Sequence, residues 1–154
     1  MIFTGQYEHS IDAKNRIAIP ADIRARWSTE HDGEAWQALP WKQGVIRLYT
    51  ERDFAQAADR GRLTLTPDED EAEIDATIFG LSERLPMDSA GRIRIPEGHL
   101  ELAGLNKEVV IIGARDRLEL RDRAEWNSQR NDRLAQLQAF MKRNAQRSAD
   151  ASAG

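Results

Sequence analysis

The stretch "DAKNRIAIP", residues 12–20, returns as "DSAGRIRIP", residues 88–96. Aspartate, arginine, two isoleucines and proline hold the same places in both, which marks an internal repeat. In each copy the Ile-x-Ile alternation has the period of a strand, and the residues before it are turn formers. Asn15 and Gly91 occupy the same place in the two turns, and both residue types tolerate a left-handed backbone. Upstream of the first copy "QYEHSID" alternates weakly, so each unit reads as a β-hairpin. Pro20 and Pro96 then end the strand and suit the first turn of a helix. Asp12 and Asp88 flank their turns, where a carboxylate accepts turn N–H groups and pairs with Arg16 or Arg92, so Asp12, Asp88 and Gly91 are assigned structural turn roles.

The likeness continues beyond the motif. "VIRLYTERDF", residues 45–54, matches "RLELRDRAEW", residues 117–126, each a strand running into a helix with Thr50 or Asp122 at the cap and Glu125 completing a capping box. The offset is 76 for the first match and 72 for the second, so the first copy has the longer connection, around "STEHDGEA", expected as an exposed loop. Pro86 removes a ladder donor and confines its strand to an edge or a bulge. In "TPDEDEAEIDATIFGL", Thr66 and Pro67 start a helix with Ile74 and Ile78 facing inward. From Asp122 to Arg147 there is no glycine or proline, and Trp126, Leu134, Leu137 and Met141 form a stripe, which predicts a long C-terminal helix with a fraying "SADASAG" tail. The chain thus divides into unit 1 (5–51), connecting helices (52–80), unit 2 (81–124) and the C-terminal helix and tail (125–154).

A unit of this size cannot bury enough apolar surface alone, so the two share one core. The expected fold is α+β, an intramolecular pseudo-dimer whose interleaved hairpins close a small β-barrel without open edges and leave both turns on the surface.

Composition removes most other chemistry. There are no cysteines, so disulfides, thiolate metal sites and a cysteine nucleophile are excluded, and the three histidines share no metal-ligand spacing. No P-loop, HExxH or nucleophile elbow is present, so no catalytic residue, metal or cofactor is assigned. The longest apolar run, Val109 to Ile112, is too short for a bilayer, and the N-terminus lacks the features of a secretory signal; a cytoplasmic protein is expected. The tryptophans are expected in core and interfaces. The net charge of −4 hides an uneven distribution, with six acids in residues 68–75 but nine Lys or Arg against five acids in residues 115–147.

The doubled motif in "DAKNRIAIPADIR" and "DSAGRIRIPEGHL", the segment "EVVIIGARDRLEL" and the helix containing Trp126 resemble the MraZ family, over about Gly5 to Trp126. The resemblance implies two tandem SpoVT-AbrB swapped-hairpin units. It also implies a sequence-specific DNA-binding regulator that represses the division and cell-wall gene cluster including its own gene. On that expectation the protein binds double-stranded DNA at repeated promoter boxes as a homo-oligomeric ring, an octamer or similar, and associates with the nucleoid. Lys14, Asn15 and Arg16 on the first turn are the implied DNA contacts, and Arg92, beside Arg94, is the counterpart in a second turn that lacks the lysine. Asn15 stands where that family usually has glycine. The alternative is a non-enzymatic ring-forming assembly or nucleoid-associated protein that recruits partners through its C-terminal helix.

Overall fold

The two strands that leave each turn do not pair with one another; each finds its partner in the other half of the chain. A computed structural model describes residues 1–59 and 63–153. Its elements are β1 (Gln6–Ser10), β2 (Arg16–Ala18), α1 (Ala21–Arg26), α2 (Thr29–Asp32), β3 (Ala35–Lys42), β4 (Val45–Thr50), α3 (Glu51–Ala58), α4 (Glu69–Leu81), β5 (Glu83–Pro86), β6 (Arg92–Arg94), α5 (Glu97–Ala103), β7 (Glu108–Gly113), β8 (Leu118–Asp122) and α6 (Arg123–Ala153). Positions 60–62 of the expected connecting segment and the last glycine lie outside the described residues. The chain forms two compact units, Met1–Arg123 and Ala124–Gly154.

In the first unit, β1 pairs with β7, β3 with β5, β4 with β8 and β2 with β6, all antiparallel and all across the halves. The six-stranded order β1-β7-β8-β4-β3-β5 reads the same when the halves are exchanged. The expected hairpins are therefore tight turns between swapped strands. β1 and β5 end the six-stranded sheet, and β2–β6 is a separate ribbon, so the ladders leave two edges where a closed barrel was expected to have none. The chain bends at Asp12 and Asp88 and spends β2 and β6 on each other, which removes them from the main sheet. Pro86 lies opposite Ala35 on β5, an edge strand, one of the places to which a proline without a ladder donor is confined.

A three-residue ribbon has little stability alone. Its isoleucines Ile17, Ile19, Ile93 and Ile95 enter the same buried cluster as Trp36, Ile46, Leu48, Leu118 and Leu120 from the sheet. Trp27 packs on Trp36 with ring centroids 4.9 Å apart. Thr50 accepts from the Asp53 N–H at 3.0 Å and caps α3 as its sequence position suggests. Pro20 and Pro96 occupy the cap position of α1 and α5, one place before the first helical residue, because their backbone is still extended.

Several expectations are corrected by packing. "STEHDGEA" contains the short helix α2, exposed at Thr29 to His31, and it buries Asp32, which accepts from the Ser28 N–H at 2.8 Å. α4 starts after Asp68 instead of Thr66, and Ile74, expected to face inward, is exposed. Of the tryptophans expected in core and interfaces, Trp36 is buried in the core and Trp41 is exposed on β3. α6 continues through Ala153, where a frayed tail was expected, and its stripe of Leu134, Leu137 and Met141 is exposed. Among the described residues, no helix is long and apolar enough to cross a membrane.

The exchange of halves passes through two residue pairs, Ile17 opposite Ile93 and Arg47 opposite Glu119. Glu119 has only 4 % of its side chain exposed and takes ion pairs from Arg121 at 2.7 Å, Arg117 at 2.9 Å and Arg47 at 3.5 Å. Burial works against its charge, but the Arg121 and Arg117 hydrogen bonds and charges win and hold its carboxyl below the ordinary value. Arg47 also lies 3.7 Å over the ring of Trp41. Glu119→Ala is expected to cost about 3–5 kcal/mol, because three arginines lose their shared counter-ion. A lowered folded pKa gives stability that is present above the ordinary value of 4.5 and lost as pH falls. Urea denaturation should therefore show a deficit for Glu119→Gln at neutral pH that closes on acidification.

Candidate nucleic-acid interface

The two motif turns fold identically. Asp12 Oδ1 accepts the backbone N–H of Arg16 at 2.8 Å and of Lys14 at 2.9 Å, and its Oδ2 accepts Arg16 Nε at 2.8 Å. Asp88 accepts the N–H groups of Arg92 and Ala90, both at 2.9 Å, and Arg92 Nε at 3.0 Å. Asn15 at φ 62° and Gly91 at φ 75° supply the left-handed residue that each turn needs. The backbone N–H of Arg16 and of Arg92, foremost among these bonds, holds each carboxyl below the ordinary carboxylate value. Both aspartates are thus used up inside their turns.

The arginines are only half used. Each spends Nε on its aspartate, while Nη1 and Nη2 of Arg16 and Arg92 have no partner among the described residues. The ladder extends one step beyond each strand, through Ile95 N–H to Asn15 C=O at 2.7 Å and Ile19 N–H to Gly91 C=O at 3.0 Å. The turns therefore lie at opposite ends of the ribbon, with Asn15 and Gly91 roughly 14 Å apart by the strand rise. Alternation buries the isoleucines and turns Arg16, Ala18, Arg92 and Arg94 to the other face.

On that face Arg16 stands directly opposite Arg94. Like charges facing across a ladder are unfavourable, and Arg94 has neither a hydrogen bond nor an ion pair among the described residues. Lys14 is exposed at the tip of the first turn, its Nζ likewise unpartnered. The fold gains nothing from gathering these cations, and an anionic ligand would offset their repulsion.

Two residues missed in the sequence join the site. Lys107 Nζ donates to Asn15 Oδ1 at 2.6 Å, so the Asn15 side chain is engaged in holding a cation from the other half against the first turn. Arg24 of α1 crosses to the second turn, donating Nε to Ile19 C=O at 2.9 Å and Nη1 to Ala90 C=O at 3.5 Å. A Cβ at Gly91 would overlap the Arg24 side chain, so glycine there makes room for it. The second turn lacks a lysine of its own but is accompanied by this arginine. The only signal in the sequence was the unequal pair Asn15 and Gly91; which distant cation responds to each is decided by the swapped packing. Among the described residues, no group of three histidines or carboxylates is placed to hold a metal.

Comparison with known proteins agrees with this architecture. A family model described as "MraZ protein, putative antitoxin-like" matches residues 78–148. The transcriptional regulator MraZ of Acetivibrio thermocellus is 31 % identical over 131 residues, covering 85 % of this chain and 88 % of the relative. That of Alkaliphilus oremlandii is 32 % identical, with 85 % and 88 % covered, and that of Shewanella frigidimarina is 28 % identical, with 90 % and 91 % covered. With the doubled turn, the swapped strands and this nearly full-length similarity together, the chain belongs to the MraZ family.

Proposed function

We propose that this protein is a transcriptional regulator that binds double-stranded DNA through the outer face of the β2–β6 ribbon and its two turns. Supporting this reading is the row of Arg16, Arg92 and Arg94, whose guanidinium groups face outward while the neighbouring carboxylates are consumed within the turns. Lys14 and the free arginine edges suit phosphate oxygens and the guanine edge in the major groove. Asn15 acts by positioning Lys107, and Arg24 adds its charge to the second turn. The regulated unit in this reading is the division and cell-wall gene cluster including the protein's own gene, with repression as the outcome. Repeated promoter boxes are engaged by a ring of several chains in the nucleoid, because one chain of net charge −4 holds a duplex weakly.

Selection of bound duplexes from random DNA, compared with the promoter of the protein's own gene, tests the reading. A repeated box should emerge, and failure to enrich any sequence sinks it. Arg16→Ala and Arg94→Ala should each weaken specific binding by about 1–3 kcal/mol, the worth of one arginine on a guanine edge. Arg94→Ala should leave the melting temperature nearly unchanged, whereas Arg16→Ala also loses the Asp12 pairing. In gel shifts, Lys14→Ala should reduce affinity more than Ser89→Ala, since only the first turn carries a tip cation; equal losses would show equivalent tips. Affinity should rise from one box to three, and fall by about 0.9 log units per log unit of salt for each phosphate neutralised. Indifference to box number would remove the ring from the mechanism.

A further inference from the structure

Helices α3 and α4 leave a cleft of about 300 Å³ against the sheet. β3 supplies Trp41, β4 supplies Arg47 and Tyr49, α3 supplies Phe54, and α4 supplies Ile78 and Phe79. The walls are aromatic: the rings of Tyr49 and Phe54 lie 6.2 Å apart, and Phe54 meets Phe79 edge to face at 5.8 Å. Trp41 is 45 % exposed and Phe79 47 %, so the cleft opens to solvent. Its volume is at the small end of the range for small-molecule sites, roughly 300–1,000 Å³. None of these residues belongs to β2, β6 or either motif turn, so the cleft is separate from the ribbon face.

One end of the cleft is polar and short of acceptors. Glu119, across the ladder from Arg47, spends its short hydrogen bonds on other arginines: Oε1 accepts Arg121 Nε at 3.0 Å and Nη2 at 2.7 Å, and Oε2 accepts Arg117 Nε at 2.9 Å. Arg47 is the third cation at that carboxylate. It lies 3.5 Å away without a hydrogen bond to it, and its Nε is buried with no acceptor. Trp41 covers one face of the guanidinium at 3.7 Å. Among the described residues the Arg47 fork makes one hydrogen bond, from Nη1 to Tyr49 Oη at 3.3 Å, and the Tyr49 O–H donates to nothing. Asp116, at the rim, is paired with Arg117 at 2.9 Å. A guanidinium with only 18 % of its side chain exposed ordinarily has its donors matched, and this one does not.

We propose that this cleft binds a small organic acid with a flat apolar body, its carboxylate on the Arg47 fork and the Tyr49 O–H, its body between Phe54, Ile78 and Phe79. Two groups with unmatched donors at one end select an anionic head, because a carboxylate fits the guanidinium fork and takes charge-assisted bonds from both. Aromatic walls select a flat body, which stacks on rings or meets their edges. A cationic head is repelled, since Arg47 stands where it would lie. A wholly apolar ligand would shut the unmatched donors away from water and leave them unpaired.

The test is calorimetric titration of the full-length protein with cinnamate, against cinnamyl alcohol and cinnamylammonium as its neutral and cationic counterparts. Cinnamate should bind about tenfold tighter than the alcohol or better, the worth of a hydrogen bond to a charged group, and the ammonium should not bind. Arg47→Gln should remove the preference, so that acid and alcohol bind alike. Ala57→Trp fills the cleft from an exposed position on α3 and should abolish binding, and it probes the site without touching the Glu119 cluster. Circular dichroism checks that both variants fold. Equal affinity of the wild type for acid and alcohol would assign the cleft to a neutral apolar group, such as a side chain of a partner protein, and would overturn the proposal. So would the absence of cinnamate binding, or binding that Ala57→Trp leaves unmoved. The readout is independent of DNA, so its failure and failure of the regulator reading are distinguished.

Discussion

The fold turns on the pairing of β2 with β6 across the middle of the chain. Each half makes a strand, a turn and a second strand, but the turn sends its strands apart, and neither half can satisfy its backbone alone. The ribbon centred on Ile17 and Ile93 joins the halves, and the isoleucines on either side of that pair close over the sheet. Everything else of the first unit follows the same exchange, down to a strand order that reads alike from either end. A tight turn with both strands swapped is stable only when the second copy is present, and covalent linkage guarantees its presence without an association cost.

Linkage also frees the two copies to differ where a symmetric dimer could not. In a true dimer the residue on the two-fold axis faces itself, so a charge there meets its own sign. Here the axis position holds Arg47 in one half and Glu119 in the other, and the buried carboxylate collects Arg117 and Arg121 as well. The same freedom operates at the turns. Asp12–Arg16 and Asp88–Arg92 close identical loops, but Asn15 holds Lys107 beside one, and Gly91 leaves room for Arg24 beside the other. The two ends of the ribbon are alike in backbone and different in chemistry.

Charge is segregated over a molecule whose net value conceals it. Carboxylates near the ribbon are spent on turn N–H groups and arginine Nε, which leaves the outward guanidinium edges as its dominant feature. The acidic excess sits on α4, beside exposed apolar side chains, and the second unit supplies cations along an exposed leucine stripe. The basic ribbon face and the acidic helix α4 therefore carry opposite charge on one chain.

Read without a structure, the sequence determined the repeat, the turn chemistry, the edge position of Pro86 and the Thr50 cap, because these are set by residues within a few positions of one another. Asp12, Arg16, Asp88 and Arg92 were legible for the same reason: a carboxylate, a left-handed residue and an arginine at fixed offsets leave one local geometry. Interleaving of the halves was expected from the repeat and its resemblance, but only the tertiary structure decided that β2 and β6 form a ribbon apart from an open six-stranded sheet, since a strand's period says which face is buried and not which strand lies beside it. It decided that Ile74 and the α6 stripe face outward, because an apolar period reports a face in need of cover and is silent on whether the same chain supplies it. It also brought Arg24 and Lys107 to turns 67 and 92 residues away in sequence, at Gly91 and Asn15. Their placement depends on the swap, and side-chain contacts across a swap leave no periodic trace for the sequence to carry.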